Sequence, residues 1–405
     1  MIPLGVLTVA DVLPLPVRGG AERVLWECAR GLASRGHRVT VLGRAAPDAR
    51  EATLDGVTIR PIPAPRRSAL AFIPRAILAA RRMARAEIAR GAVDVLHLHQ
   101  PVSGYGVLAS DVAARRPSVY TFHSSAPAEY RLRRGMTALH RGGPAGRLGA
   151  AVLAALERAC VRRATRVHVL SAYSARQLRD LYGVAGGRVV QIPGGVDLGR
   201  FRPAEQAAAR AAVALAPAQP LIVTIRNLEA RMGLESLLRA MALSAPDVPG
   251  ARLVIGGDGS RRAALEALAG ELGVADRVTF LGYVRDEALP RYYQAADLFA
   301  LPTAALEGFG LVTVEALASG TPVLATPVGA TPEILAPLDP RLLTRDASVE
   351  ALADGLRDFA SRMTKDPEGI DALRRACRRH AEARYGWERS VDALESLFGS
   401  LRSGA

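Results

Sequence analysis

The sequence has few cysteines and lacks a long uncharged apolar run. Only three cysteines occur in 405 residues, and Cys28, Cys160 and Cys377 show no CxxC spacing. Widely separated cysteines favour free thiols in a reducing compartment and argue against a zinc site. No uncharged apolar run of about 18 residues is present, so no transmembrane helix is expected. Residues 1–10 lack the basic region and cleavage site of a signal peptide, and we interpret them as a first strand.

Acidic residues are scarce in the first half of the sequence. Residues 1–200 contain 30 lysines and arginines against 13 aspartates and glutamates, a balance of +17, whereas residues 201–405 have a balance of −3. Lys365 is the only lysine, so codon bias explains the use of arginine but not its uneven distribution. An anionic partner or an anionic membrane surface would explain it. A solvated basic surface without a partner is the alternative, and no nucleic-acid partner is expected.

Short apolar runs alternate with helical patterns along the chain. This βαβ rhythm predicts an α/β protein with parallel strands under helices on both faces. The rhythm stops in a segment rich in proline, glycine and alanine and then restarts, which indicates two Rossmann-like, doubly wound domains joined by a linker. Their ligand sites are expected at the carboxyl ends of the strands, in a central cleft. The predicted strands cover residues 4–10, 38–42, 57–60, 93–98, 118–122, 166–170, 188–192, 221–225, 252–255, 277–280, 297–300 and 322–325.

Two features near the start of the chain have both a functional and a structural interpretation. Gly19 and Gly20 precede a predicted helix and are candidates for a phosphate-binding turn, although a plain turn into a helix explains them equally well. Residues 70–90 have the spacing of an amphipathic helix with several arginines. Such a helix can lie on an anionic membrane, or it can be an ordinary domain helix with a basic outer face.

Three histidines lie at predicted strand ends in the first domain. His97 and His99 flank one strand end, where we expect one to point towards the cleft and the other into the domain. His123 ends the next strand, where it either contacts a sugar or is an ordinary hydrogen-bonded histidine. Residues 126–149 are rich in arginine and glycine and are expected to form a mobile basic loop over an acceptor.

In the second half, polar and glycine residues follow successive strands. Arg226 follows one predicted strand and Arg231 lies five residues later, a pair suited to binding a diphosphate. Gly257 lies in a glycine-rich turn between a strand and a helix. Tyr283 and Val284 follow the next strand, where extended backbone can pair with a nucleobase.

Two glutamates bracket the predicted start of a buried helix. Glu307 lies in the loop before the helix and Glu315 near its second turn. The backbone N–H groups of Phe309, Gly310 and Leu311 are then unpaired within the helix and face an anion site. A carboxylate on each side suits a sugar and a ribose, although two glutamates that merely face water would give the same pattern.

Motifs for metal binding are missing. No DxD pair follows a predicted strand, and no His/Asp cluster has metal-ligand spacing. We therefore expect no metal and no other cofactor, with arginines and a helix N-terminus in place of a cation.

Taken in order, these motifs resemble those of the family 4 glycosyltransferases, which have the GT-B fold. The resemblance extends over nearly the whole chain, and the order and spacing of the motifs are more specific than any one of them. The motifs are Gly19-Gly20-Ala21-Glu22, Thr121-Phe122-His123-Ser124, Ile192-Pro193-Gly194-Gly195-Val196-Asp197, Phe201-Arg202-Pro203, residues 226–233, residues 256–259, Gly282-Tyr283-Val284, residues 307–315 and residues 320–333.

The resemblance implies a role for each motif. Arg226 would hold the diphosphate of a nucleotide-sugar, Glu315 the ribose and Glu307 a hydroxyl of the donor sugar, with the three amides at the helix start facing the sugar or phosphate. Gly20 would approach the diphosphate as the cleft closes, and His123 would lie at the face of the reacting sugar. The family retains anomeric configuration without a metal, and the leaving diphosphate is thought to help deprotonate the acceptor.

The resemblance also implies a division of labour along the chain. Residues 1–198 would bind the acceptor, residues 199–219 would be the linker, residues 220–385 would bind the nucleotide-sugar, and a final helix, 386–405, would return to the first domain.

Two departures from the family pattern affect the predicted site. The family usually has a lysine immediately before Gly233, but this position is Met232, and we assign its role to Arg231. A glycine pair usually precedes Pro-Glu, but here Gly329 is followed by Ala330, so close backbone approach is less certain there.

The expected function is transfer of a hexose from an NDP-sugar, UDP- or GDP-linked, to a glycan, a lipid-linked sugar or a small metabolite. The alternatives are a nucleotide-sugar epimerase, a phosphorylase, and a sugar-nucleotide-binding protein without catalysis. The expected location is the cytoplasm, with peripheral contact with an anionic membrane left open.

Overall fold

The computed structural model describes residues 2–15, 17, 19–45, 49–63, 69–91, 93–136, 143–215 and 220–403. The chain divides into two compact units. The first contains Met1–Gly194 and Trp387–Ala405, and the second contains Gly195–Gly386. Each unit is built around its own parallel sheet.

The first unit contains an eight-stranded sheet with strand order β3-β4-β2-β1-β5-β6-β7-β8. Every neighbouring pair is parallel except β3 and β4. The central strands are buried on both faces, as expected for strands covered by helices. Its strands are β1 Gly5–Ala10, β2 Arg38–Arg44, β3 Ala52–Leu54, β4 Val57–Ile62, β5 Val95–His99, β6 Ser118–Phe122, β7 Arg166–Val169 and β8 Val189–Gln191.

In the described part of the first unit, six α-helices connect these strands. Their apolar faces pack on the sheet in a core that includes Leu98, Tyr120 and Phe122. The helices are α1 Gly20–Ser34, α2 Ala69–Arg90, α3 Pro101–Leu108, α4 Ala126–Arg133, α5 Pro144–Arg163 and α6 Ala172–Tyr182.

The second unit contains a five-stranded, all-parallel sheet with strand order β11-β10-β9-β12-β13. Its strands are β9 Leu221–Ile225, β10 Arg252–Gly256, β11 Val278–Gly282, β12 Leu298–Leu301 and β13 Val323–Ala325. Its helices are α7 Gln206–Ala212, α8 Leu234–Ser244, α9 Arg262–Glu271, α10 Leu289–Ala295, α11 Leu311–Ala318, α12 Thr331–Leu335, α13 Val349–Lys365 and α14 Pro367–Arg384.

The two ends of the second unit lie side by side. Val196 and Gly386 form a parallel bridge, and the Val196 N–H donates to the Tyr385 carbonyl oxygen at 2.6 Å. The chain therefore leaves the second unit next to the point where it entered.

The last helix, α15 Trp387–Ser403, belongs to the first unit. It packs against α1, where a side chain on Gly31 would come within 2.6 Å of Val391 Cγ2. Arg35 bonds Glu395 and Asp392 through Nη1, each at 2.7 Å, and His37 Nε2 lies 2.9 Å from Glu395 Oε1. The prediction that the final helix returns to the first domain is confirmed.

The pattern of two doubly wound sheets is also confirmed. All twelve predicted strands are present, with ends shifted by up to two residues. The strand that was not predicted, β3, is only three residues long and fully exposed, so it lacks the apolar alternation that marks a strand in sequence.

The prediction of a mobile basic loop over residues 126–149 is wrong for the described part of that segment. Helix α4 occupies its start, and α5 begins before its end. Glu157 of α5 accepts a hydrogen bond from the Ala126 N–H at 3.1 Å and fixes the start of α4. Arg131, Arg133 and Arg147 are exposed on these two helices, which pack against each other. Residues 137–142 lie outside the described residues.

The expectation of free cysteines agrees with the structure. Cys28, Cys160 and Cys377 are free and buried. None of the helices in the described part of the chain combines the length and the apolar character that crossing a membrane requires.

Candidate functional site

The second unit brings Arg226, Thr303 and Glu307 into one hydrogen-bonded cluster. Arg226 donates from Nη1 to Thr303 Oγ1 at 2.7 Å and from Nη2 to Glu307 Oε2 at 2.9 Å. The Thr303 hydroxyl donates to Glu307 Oε2 at 3.1 Å. The side chain of Arg226 is 6% exposed and that of Glu307 is 12% exposed. A charge pair this buried depends on its hydrogen bonds, because desolvation opposes both charges.

The backbone of Arg226 packs closely against the turn that follows β10. Arg226 follows β9, and its N–H donates to the Gly256 carbonyl oxygen at 3.0 Å. Gly257 has φ 123°, and a Cβ there would clash with the Arg226 carbonyl oxygen. Gly257 therefore lets the turn after β10 lie directly against Arg226, which places this glycine beside the cluster.

The loop that carries Glu307 contains two residues with positive φ. Gly310, immediately before α11, has φ 91°, and Leu306 has φ 57°. A positive φ is uncommon for a leucine and marks strain held by its surroundings. Arg231 Nη1 donates to the Leu306 carbonyl oxygen at 3.0 Å, and this bond helps to hold the loop.

Gly329 supports the same loop from its other side. Its φ is 65°, and a Cβ there would clash with the Glu307 carbonyl oxygen. The next residue, Ala330, donates its N–H to that oxygen at 2.9 Å and has an ordinary negative φ. Gly329 alone therefore allows the close backbone approach, although Ala330 stands where the family usually has a second glycine.

Arg231, rather than Met232, faces the cluster. Met232 is 6% exposed and packs in the hydrophobic core of the second unit, whereas the Arg231 guanidinium reaches the loop before Glu307. Gly233 has φ 72°, and a Cβ there would clash with the Pro302 carbonyl oxygen. This geometry supports the assignment of the missing lysine's role to Arg231, which stays a prediction.

Glu315 lies on α11 and is buried. Its Oε2 accepts a hydrogen bond from the hydroxyl of Tyr293 at 2.9 Å. Burial raises the pKa of Tyr293 well above its usual value, and the Glu315 charge adds to that shift while Arg226 opposes it. Tyr293 therefore remains a hydrogen-bond donor to Glu315, an interaction that the sequence did not predict.

The other predicted binding residues of this unit lie in two regions. Phe309 is buried against Tyr385, with ring centroids 5.9 Å apart, and Leu311 is the first residue of α11. Tyr283 and Val284 follow β11 beside the glycines of β10. The Gly257 N–H donates to the Gly282 carbonyl oxygen at 2.7 Å, and a Cβ on Gly256 would lie 2.7 Å from Val284 Cγ2. Tyr283 is 60% exposed.

In the first unit, Gly19 and Gly20 lie at the start of α1. The Gly19 N–H donates to the carboxylate of Glu22 at 3.1 Å, so one donor of the turn already has a partner inside the helix. A Cβ on Gly19 would meet nothing within 4 Å. The space beside Gly19 is consistent with a ligand but does not require glycine.

The carboxyl ends of β1 and β5 form a second polar cluster in this unit. Asp11 accepts hydrogen bonds from the N–H groups of Ser103 at 2.6 Å and Val102 at 3.3 Å, at the start of α3. Gln100 has φ 69° and ψ 149°, a conformation usually reserved for glycine. Its side-chain oxygen accepts from the Asp11 N–H at 2.9 Å. Sequence reasoning missed both residues.

The expectation that one of His97 and His99 points towards the cleft and the other into the domain is wrong. Alternate residues of a strand share a face, and both rings are buried with centroids 4.2 Å apart. His99 Nδ1 lies 2.9 Å from Nε2 of the partly exposed His123. The three predicted histidines therefore belong to one buried network rather than to separate sites.

Charge at the site is supplied by arginine. Burial lowers the pKa of Arg226, and the Glu307 carboxylate opposes that shift; guanidinium groups stay protonated in proteins. The Nε of Arg226 is buried and has no hydrogen-bond partner among the described residues. Within the same residues, no group of three or more His, Cys, Asp or Glu is arranged to hold a metal ion.

Two family models match the chain. "Glycosyltransferase Family 4" matches residues 18–200, and "Glycosyl transferases group 1" matches residues 205–381. The D-inositol 3-phosphate glycosyltransferase of Nocardia farcinica is 35% identical over 326 residues, which cover 77% of this chain and 67% of the relative. The protein of the same name from Mycobacterium bovis is 34% identical over 391 residues, 93% of this chain and 78% of the relative.

Solved structures share the fold at lower identity. Sucrose-phosphate synthase from Thermosynechococcus elongatus superposes with a TM-score of 0.83 at 24% identity, over 99% of this chain and all of the other. A glycosyltransferase from Rickettsia africae superposes with a TM-score of 0.75 at 17% identity, over the whole of both chains. The chain is therefore a GT-B glycosyltransferase of the group 1, family 4 class, which transfers a sugar from a nucleotide-sugar donor.

Proposed function

We propose that this glycosyltransferase moves a hexose from a UDP- or GDP-sugar to a hydroxyl of an anionic, phosphorylated polyol. The transfer retains the anomeric configuration and needs no metal ion. The observation that carries the donor half of the proposal is the cluster of Arg226, Thr303 and Glu307. The acceptor half depends on the relatives and on charge.

The cluster suits the two ends of a sugar diphosphate. Arg226 presents a buried guanidinium whose Nε has no hydrogen-bond partner among the described residues, and the positive charge of Arg231 lies close enough to lower the pKa of Arg226 further. Two guanidinium groups stabilise a leaving diphosphate without proton transfer. Glu307, held by Arg226 and Thr303, keeps carboxylate lone pairs to accept hydrogen bonds from sugar hydroxyls.

The proposed reaction is a displacement on one face of the sugar. The bond between the anomeric carbon and the β-phosphate oxygen breaks while the bond to the acceptor oxygen forms. The acceptor proton moves to an oxygen of the departing diphosphate. Arg226, Arg231 and the amides at the start of α11 take up the charge that develops on that diphosphate.

Two independent observations support the proposed acceptor. The two curated relatives reported above are named for D-inositol 3-phosphate, and residues 1–200 carry a balance of +17. A phosphorylated polyol combines hydroxyls for glycosylation with the charge that a basic domain attracts. A glycan or a lipid-linked sugar remains the competing acceptor class and is distinguished by assay.

Further residues from each of the two units complete the proposal. Gly19 and Gly20 would approach the diphosphate of the donor, and His123 would lie at the face of the reacting sugar. Glu315 would bind the ribose, while Gly257, Tyr283 and Val284 would contact the nucleobase or the part of the nucleotide next to it. These roles stay predictions from the family resemblance.

A thermal-shift panel with UDP-, GDP-, ADP- and dTDP-sugars tests the donor. A ligand at one hundred times its Kd stabilises the folded state by about 2.7 kcal/mol, so the true donor should raise the melting temperature while the others do not. Adding EDTA should leave this shift unchanged. No shift with any of the four would contradict the donor assignment.

Product analysis then separates the alternatives. With the true donor and an inositol phosphate, we expect a glycoside whose anomeric configuration, read by NMR, matches that of the donor. A new nucleotide-sugar formed without acceptor would identify an epimerase. Binding without any product, with the full panel of acceptors, would identify a sugar-nucleotide-binding protein. Transfer to glycans or lipid-linked sugars but not to phosphorylated polyols would refute the acceptor assignment.

A further inference from the structure

Four of the seven histidines lie in one chain of hydrogen bonds inside the first unit. The chain runs from His123 to His99 (2.9 Å), to His97 (3.4 Å), to Thr121 (2.8 Å), to His168 (3.0 Å) and ends at the carbonyl oxygen of Ile192 (2.9 Å). We call these five side chains the histidine relay. Four of them are 1–2% exposed, and only His123 is partly open to solvent.

The last acceptor determines the direction of every bond. A backbone carbonyl oxygen can only accept, so His168 Nε2 carries a proton. In a neutral ring the other nitrogen, Nδ1, then accepts, and the Thr121 hydroxyl must donate to it. With its one proton committed, Thr121 Oγ1 accepts from His97 Nε2–H.

The same reasoning continues through the next two rings. His97 Nδ1 is left as an acceptor, and His99 Nε2–H donates to it. His99 Nδ1 in turn accepts from His123 Nε2–H. The reversed arrangement would require a proton on the Ile192 carbonyl oxygen and does not occur.

We propose that the histidine relay fixes His123 in its Nε2–H form and leaves Nδ1 of His123 as a hydrogen-bond acceptor at the carboxyl end of β6. Thr121, His97, His99 and His168 are positioning residues that set the state of a ring at the predicted reaction face. The catalytic meaning of the relay rests on the proposed function, but the tautomer does not.

The surroundings favour neutral rings throughout. Burial lowers the pKa of His168 to about 4 and that of His123 to about 3. Burial also lowers the pKa of His97 and of His99 well below the usual value, and the neighbouring histidines add to both shifts. Phe398 of α15 packs edge-on against His97, with centroids 5.3 Å apart, and keeps that part of the relay apolar.

Imidazole ¹⁵N NMR of the full-length protein, labelled in histidine, reads the tautomers directly. His123→Gln identifies the His123 signals by their loss. At neutral pH the wild-type protein should show His123 with a protonated Nε2 and an unprotonated Nδ1. A protonated Nδ1, or a doubly protonated ring, would overturn the proposal, whether or not sugar transfer is detected.

Thr121→Val tests the relay itself, because it removes the hydroxyl with little change of volume. His123 should then populate both tautomers, since the rings can donate in either direction. Thr121→Ser should restore the wild-type signal. Ser118→Ala, which removes another buried hydroxyl of β6 outside the relay, is the matched control. An unchanged His123 tautomer in Thr121→Val would also refute the relay.

Kinetics provide a separate readout. In Thr121→Val, kcat should fall in proportion to the fraction of His123 that the NMR spectra show in the wrong tautomer, with the donor KM within about twofold of wild type. Thr121→Ser and Ser118→Ala should retain near wild-type kcat. If the wild-type protein has no transferase activity, the proposed function fails while the NMR result still decides the relay.

Discussion

At the scale of single residues, the candidate site depends on side chains held by other side chains. Arg226 is held by Thr303 and Glu307, and Glu315 is held by Tyr293. The sequence predicts Arg226 because it follows a strand, and Glu307 and Glu315 because they bracket the start of a helix. It does not predict Thr303 or Tyr293 as their partners, because those pairs join positions 77 and 22 residues apart and depend on how the chain folds.

Glu307→Gln should abolish most activity while the fold survives. The amide keeps the size of the carboxylate but loses its charge and offers a donor where sugar hydroxyls need an acceptor. We expect kcat/KM to fall about 10²- to 10³-fold, measured by steady-state kinetics, with circular dichroism to confirm folding. Glu235→Gln, at a surface pair with Arg261, is the matched control. Full activity in Glu307→Gln would remove this residue from the proposed site.

Gly329→Ala should damage the site through the backbone of Glu307. A Cβ at this position clashes with the Glu307 carbonyl oxygen, and φ is 65°. We expect a loss of stability of about 1 kcal/mol or more together with weaker donor binding, measured by thermal melts with and without donor. Gly270→Ala, on α9 with open space around it, is the control. It should leave stability and donor binding unchanged or slightly improved.

At the scale of elements, regular alternation was enough to predict the sheets. Apolar runs of four to seven residues between helical patterns gave all the strands except β3, and the glycine-rich turns lie where the sequence places them. The pattern failed over residues 126–149, because glycine and arginine content suggests a loop whereas α4 and α5 depend on packing against each other. It also could not show that His97, His99 and His168 belong to one network across three strands.

Glu157 links three of these elements and should make stability depend on pH. It accepts hydrogen bonds from the Ala126 N–H of α4 and from the Tyr182 hydroxyl of α6. Burial raises its pKa to about 7 from 4.5. Between these values the folded protein keeps a proton that the unfolded chain has released, so this carboxyl lowers the free energy of unfolding as pH rises from 4.5 to about 7. The full loss is roughly 3 kcal/mol.

Glu157→Gln should remove that dependence. Relative to wild type, the variant should gain stability as pH rises through this window, and the gain should level off above it. Urea unfolding at a series of pH values measures the difference. Tyr182→Phe removes a donor that favours the ionised carboxylate, so it should move the window to higher pH. A constant difference between Glu157→Gln and wild type would contradict the prediction.

At the scale of the whole molecule, the second unit is an insertion into the first. Its two ends are bridged at Val196 and Gly386, and its sheet and core involve only its own elements. The first unit, by contrast, needs residues from both ends of the sequence, because α15 covers α1 and places Phe398 beside His97.

A fragment of residues 195–386 should therefore fold alone. We expect a single cooperative unfolding transition and retained binding of the donor nucleotide, measured by calorimetry and thermal shift. Residues 1–194 without α15 should be markedly less stable than the first unit in the full-length protein, because the buried faces of Gly31 and His97 lose their cover. A fragment 195–386 that remains unfolded would contradict the prediction.

The return of α15 to the first unit constrains how enzymes of this type can be recombined. Exchanging donor specificity with a homologue needs two crossovers, one near residue 194 and one near residue 387. The first unit then keeps its own α15, which Gly31, Arg35 and His37 contact. A chimera with a single crossover would join the acceptor half of one parent to the last helix of another. The contact between α1 and α15 would then be mismatched, although α15 lies more than 190 residues along the chain from the crossover.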